Sequence, residues 1–171
     1  MTKTRKIALC AALSAAAVAV LAISSAAVLP VLTGAAAASL FIVAAVTELG
    51  RPYPIIAYAA VSAAGLLLLP DKLSASVFAG LFGHYVIFKG YIEKYRPLAA
   101  WPVKISYFNI FLMAYILAAA LILESPPEFI AFKLPVFAAG NVLFILYDLA
   151  MSRLILYYIV KIRPRIRKQG K

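Results

Sequence analysis

Long apolar runs alternate along this chain with short clusters of charge, proline and glycine. A bilayer core of ~30 Å needs about 20 helical residues at ~1.5 Å each. Six of the runs are about that long. Each must satisfy its own backbone as a helix, because hydrocarbon has no water to offer the N–H and C=O groups. The pattern therefore predicts an all-α membrane protein, a polytopic bundle of six transmembrane helices forming a single domain over residues 1–171.

The predicted helices run from Arg5 to Leu29, Leu32 to Leu49, Pro54 to Leu69, Leu73 to Lys94, Val103 to Leu123 and Leu134 to Val160. Pro30 stops the first. Gly50-Arg51-Pro52-Tyr53-Pro54 turns the second into the third, since glycine ends helices and proline starts them. Pro70-Asp71-Lys72 is a turn in which Asp71 can cap the fourth helix. Arg96 to Pro102 reads as an interfacial loop, with Tyr95, Trp101 and Tyr107 at headgroup depth. Glu124 to Lys133 is the longest loop, and residues 161–171 form a basic tail.

Charge sets the orientation. With the N-terminus in the cytoplasm, thirteen lysines and arginines fall on cytoplasmic segments and two, Lys72 and Lys133, on the opposite side. This is the positive-inside asymmetry. It predicts a multi-pass protein of the cell membrane with both termini cytoplasmic. The sequence is 65% hydrophobic and 13% charged, with a net charge of +11. In so apolar a chain, excess positive charge belongs to cytoplasmic loops and anionic headgroups. The expected partner is the lipid bilayer and not nucleic acid: the tail carries six basic residues without the interleaved aromatics that stack on bases. Lys3, Arg5 and Lys6 before Ile7–Ile23 and Ser24-Ser25-Ala26 also have the outline of a signal peptide. The apolar run exceeds the usual signal core, so the first helix is expected to be retained.

The candidate chemistry is sparse. One cysteine, Cys10, and one histidine, His84, rule out an intrachain disulfide framework and a clustered His/Cys metal site. No phosphate loop, zinc-protease motif or serine elbow occurs. No catalytic residue, metal or cofactor is expected, and the chain does not read as an enzyme.

What remains is polar chemistry at membrane depth. Helix 4 carries His84, Tyr85, Lys89 and Glu93, of which Tyr85, Lys89 and Glu93 share one face. Helix 5 carries Asn109, and helix 6 carries Asn141, Asp148 and Ser152 on one face. Depth pairs Lys89 with Asp148, with Asn109 and Glu48 nearby. A charge at that depth is expensive unless paired, so these groups should face the interior. They either tie the helices together or contact a substrate, relay a proton or latch a conformation. On helix 1, Ala8, Ala12 and Ala16, flanked by Ala11, Ala15 and Ala19, form a small-residue stripe. Such a stripe lets another helix approach closely, within the bundle or from a different subunit.

These features resemble the S components of energy-coupling factor transporters. The resemblance is carried by Thr4-Arg5-Lys6-Ile7-Ala8-Leu9 opening an alanine-rich first helix, the Ala8/Ala12/Ala16 stripe, six predicted helices and the overall length. It implies a solute-uptake subunit. The first helix would dock onto a transmembrane coupling subunit that works with ATPases, and a small molecule would bind inside the bundle. In that family the site lies in the outer half beneath the first loop. Here the polar residues lie from mid-membrane inward, and the loop at Pro30 is short. The chain is also similar in size and helix count to the rod-shape protein MreD, a membrane scaffold with no ligand.

Overall fold

In a computed structural model the chain is all-α among the described residues, which are 2–27, 31–50, 52–70, 72–93, 97–122 and 134–162. The elements are α1 (Lys3–Ala26), α2 (Val31–Leu49), α3 (Pro52–Leu68), α4 (Lys72–Val77), a π-helical turn (Phe78–Phe82), α5 (Gly83–Ile92), α6 (Pro97–Ile122) and α7 (Leu134–Tyr157), which runs into a second π turn (Tyr158–Ile162). They divide into two compact units, Met1–Ser125 and Pro126–Lys171, described separately.

Among the described residues, four helical stretches are long and apolar enough to cross a membrane: Lys3–Ala26, Val31–Leu49, Ala100–Ala118 and Phe137–Lys161. Pro52–Leu68 is a shorter apolar helix. The surface agrees with this. Leu67 and Leu68 are 80% and 74% exposed, and Ile55, Ile56, Ile110 and Leu117 are each more than half exposed. Water would penalise so large an apolar surface, and lipid would not. The chain has the element lengths and the surface of a membrane protein.

In the first unit α1 and α2 cross at small residues. The buried face of α1 is Cys10, Ala17, Leu21 and Ser24. Its Ser24 meets Gly34 of α2, whose neighbours Ala35 and Ala38 are buried. At the crossing, a Cβ on Gly34 would collide with the side chain of Ser24, so only glycine fits. Small residues let the two backbones close to van der Waals distance, the attraction available between helices in lipid. Gly50 has φ of 81°, in the left-handed region open to glycine, and ends α2 as predicted. Tyr53, just beyond, lies under Lys6, whose ammonium is 6.0 Å from the ring centre. The start of α1 and the α2–α3 turn therefore share one end of the unit. At the other end Gly65 of α3 packs against Leu21 of α1 and Ala75 of α4.

Two local expectations fail. The fourth predicted helix is interrupted by the π turn at Phe78–Phe82. The loop predicted at Arg96–Pro102 is helical from Pro97 onward, with Pro102 inside α6. Proline suits the first helical position, where no N–H bond is due, so Pro97 starts the helix. Pro102 forfeits one later bond without ending it. Trp101 thus belongs to a helix, and the ammonium of Lys104 lies 5.6 Å from its ring centre. Asp71 as a cap, the Glu124–Lys133 loop and the tail beyond Ile162 fall outside the described residues.

Candidate functional site: a histidine in an aromatic nest beside a π turn

A π turn holds one more residue per turn than its hydrogen-bond ladder accommodates in an α-helix, and such turns favour functional sites. Here the sequence Phe78-Ala79-Gly80-Leu81-Phe82-Gly83 places two glycines where two tyrosine rings press in. A Cβ on Gly80 would lie 2.7 Å from the ring of Tyr115 on α6, and one on Gly83 would lie 2.7 Å from the ring of Tyr58 on α3. The Tyr115 hydroxyl is also 2.9 Å from Oγ of Ser76. The turn is thus gripped from both sides.

The carbonyl of Ala79, inside the turn, accepts two side-chain hydrogen bonds. One comes from the Tyr58 hydroxyl at 2.7 Å, the other from Nδ1 of His84 at 3.2 Å. A carbonyl can only accept, so Nδ1 carries the proton. In the neutral ring Nε2 then holds a lone pair. That nitrogen is buried and, among the described residues, has no hydrogen-bond partner. Around the imidazole stand Phe111 at 4.1 Å, Tyr107 at 5.6 Å and Tyr58 at 6.1 Å between ring centres. Tyr107 stacks on Phe88 at 3.8 Å and touches Phe111 at 4.5 Å. The result is an apolar, aromatic surround with one acceptor left over.

A second cluster lies at the end of α5. Nζ of Lys89 is 2.7 Å and Nζ of Lys104 is 3.1 Å from the same carboxylate oxygen of Glu93. Lys89 is 1% exposed and Glu93 39%. Burial alone would raise the Glu93 carboxyl, but the bonds and charges of the two lysines outweigh it and hold the group below its ordinary value of 4.5. Gly90 of this helix packs against Val46 near the end of α2. The cluster therefore shares the end of the unit that holds Lys6 and Tyr53.

The residues singled out from sequence now have places. Lys89 and Glu93 meet, four residues apart on one face, and Lys104, counted from sequence among the cytoplasmic positive charges, joins them. His84 stands in the aromatic nest. Asn109 is half-buried on α6. Asn141 and Asp148 belong to the second unit, where Nδ2 of Asn141 donates to the Phe137 carbonyl and Asp148 is buried along with Phe144 and Met151. The pairing of Lys89 with Asp148 would join the two units, and neither unit by itself bears on it. Ala8 and Ala12 are exposed, and Ala16 is half-buried.

Sequence reasoning missed Tyr58, Phe111, Tyr115 and the π turn, and assigned Tyr107 to headgroup depth rather than to a place beside His84. A usable signal existed in the four-residue spacing of Tyr107, Phe111 and Tyr115, and in the two glycines preceding His84. Among the described residues no three His, Cys, Asp or Glu side chains gather as a metal site would require. Comparison with protein families, with curated proteins and with solved structures gives no match to this chain.

Proposed function

We propose that the protein is a small multi-pass subunit of the cell membrane, of the S-component kind, that binds a small solute and docks through α1 onto a membrane partner working with ATPases. In this reading six stretches cross the bilayer, α4, the π turn and α5 together forming one crossing. Both termini lie in the cytoplasm, which puts the end bearing Lys6, Lys89 and Lys104 on the positive-inside face.

The observation that carries the subunit role is the outer face of α1. From Ala8 to Ala19 every exposed residue is alanine: Ala8, Ala11, Ala12, Ala15 and Ala19. The other helices turn large side chains outward, such as Ile55 and Leu67 on α3 or Ile110 and Leu117 on α6. A flat alanine face gains little from lipid and much from a closely packed helix. A ligand-free scaffold of the MreD kind could use the same face. His84, with Nε2 turned into the aromatic surround, is the residue this reading assigns to the solute.

The test is affinity purification of the tagged chain from its native membranes in mild detergent, with ATP hydrolysis measured on the eluate. Associated ATPase activity is expected. Ala8→Leu with Ala12→Leu should lower it at least tenfold while the chain stays folded. Leu67→Ala, on an outward face of α3, should leave it unchanged. An eluate without ATPase activity, or one indifferent to the alanine substitutions, would sink the reading.

A further inference from the structure

We infer that the crevice between the end of α1 and the start of α2 is a binding site for one chain of a bilayer glycerolipid, whose ester carbonyl accepts hydrogen bonds from Ser24 and Thr33.

The crevice has a volume of about 110 Å³ and is lined by Val20, Ile23 and Ser24 of α1 and by Thr33, Gly34 and Ala37 of α2. It opens on the apolar outer surface, where Ile23, Leu32 and Leu40 are exposed.

Its lining changes with depth. Ser24 and Thr33 each lie two residues from the facing helix ends, Ala26 and Val31, or ~3 Å along the axis. Val20 and Ala37 each lie six residues in, or ~9 Å. Hydroxyls therefore stand at the shallow level and hydrocarbon below them. α1 has 24 residues and is ~36 Å long, which exceeds the ~30 Å hydrocarbon core. Its last turn thus reaches the polar boundary of the bilayer. A glycerolipid presents the same order, an ester at the boundary and a chain running inward from it.

Ser24 fixes the polar end. Ser14, Ser39, Thr47, Ser76 and Ser152 each return a hydrogen bond to a carbonyl of their own helix. Ser24 makes no such bond. It lies against Gly34, is 2% exposed, and among the described residues its Oγ has no partner. Its neighbour Ser25 shares that last property without lining the crevice. An unmet hydroxyl is costly in hydrocarbon. An ester carbonyl oxygen has two lone pairs, one for Ser24 and one for Thr33, which is exposed. Below it, the crevice matches a short stretch of chain. A cavity of ~150 Å³ takes a benzene molecule, so about 110 Å³ takes about four methylenes. An aliphatic side chain from a neighbouring helix would fill that volume too. It would bring no acceptor, because the carbonyls of a spanning helix are committed to its own ladder.

The test places the full-length chain in nanodiscs of equal parts dioleoyl phosphatidylcholine and its diether analogue, which lacks the ester carbonyls. After release into mild detergent, native mass spectrometry should find one phospholipid per chain. The diester should exceed the diether about fivefold, the worth of one net hydrogen bond. Ser24→Ala with Thr33→Val removes both donors at nearly constant shape and should bring the ratio to about one. Ala37→Phe fills the floor and should lower retention of either lipid roughly tenfold, whereas Leu40→Phe, outward on α2, should change nothing. A native chain that retains no lipid, whether bare or covered there by a co-purifying protein, overturns the inference. So does an equal diester-to-diether ratio in the native chain, which is decisive even if Ala37→Phe fails to fold. None of these readouts involves the ATPase association of the alanine face, so the two readings fail separately.

Discussion

At the scale of single residues, the most demanding group is Lys89, an ammonium almost wholly removed from solvent. Glu93 meets it, and the same oxygen also serves Lys104. Glu93→Gln would take a negative charge from between two buried cations. Breaking one side of a buried pair costs about 3–5 kcal/mol, and the partial exposure of Glu93 favours the lower end. We expect a loss of about 3 kcal/mol, read by denaturant unfolding in detergent. The pH dependence has a definite sign. The Glu93 carboxyl is held below 4.5 in the folded chain, so its contribution is complete above 4.5 and disappears as pH falls through the lower folded value. Acid should therefore unfold the native chain more steeply than Glu93→Gln, which has already lost the contribution. Equal acid sensitivity of the two proteins would contradict the assigned ion cluster.

At the scale of elements, the α1–α2 crossing makes a pairwise prediction. Gly34→Ala drives a methyl into Ser24, and overpacking of this kind costs about 1–3 kcal/mol. Ser24→Gly removes both side-chain atoms in the way and should recover most of that loss, giving a clear coupling in a double-mutant cycle. The same elements mark what was legible in the sequence. The α2 and α3 limits fall within two residues of those predicted, because Gly50 and Pro52 act through the backbone itself. The start of α6 was not legible, since a proline at the first helical position and one in a loop look alike in sequence. Nor was the π turn. It carries no hydrophobic period of its own and lies where Tyr58 and Tyr115, distant in sequence, press onto Gly83 and Gly80. Lys89 and Glu93 were recognisable as neighbours four residues apart on one helix. The aromatic nest around His84 depends on α3 and α6 arriving beside it, which no local pattern announces.

At the scale of the molecule, α3 and α6 turn large side chains outward, as α1 does at its ends with Ile7 and Ile23, whereas from Ala8 to Ala19 the exposed residues of α1 are alanine. Lipid should therefore reach α3 and α6 freely. With Trp101 replaced by Phe, tryptophan introduced as Leu67→Trp or Leu117→Trp should be strongly quenched by brominated acyl chains. A tryptophan introduced as Ala17→Gly, Leu21→Trp, on the buried face of α1, should be quenched much less if the chain folds. Equal quenching at all three positions would mean that the helices are not packed as described.

The crossing at Gly34 and Ser24 also has a mechanical consequence. α1 lies too close to α2 to slide or pivot on it, and α2 in turn touches α3, α4, the π turn and α5. A load placed on α1 from outside therefore cannot be absorbed where it is applied. It is passed to the elements that α2 touches, through a contact whose closeness depends on a single missing methyl group.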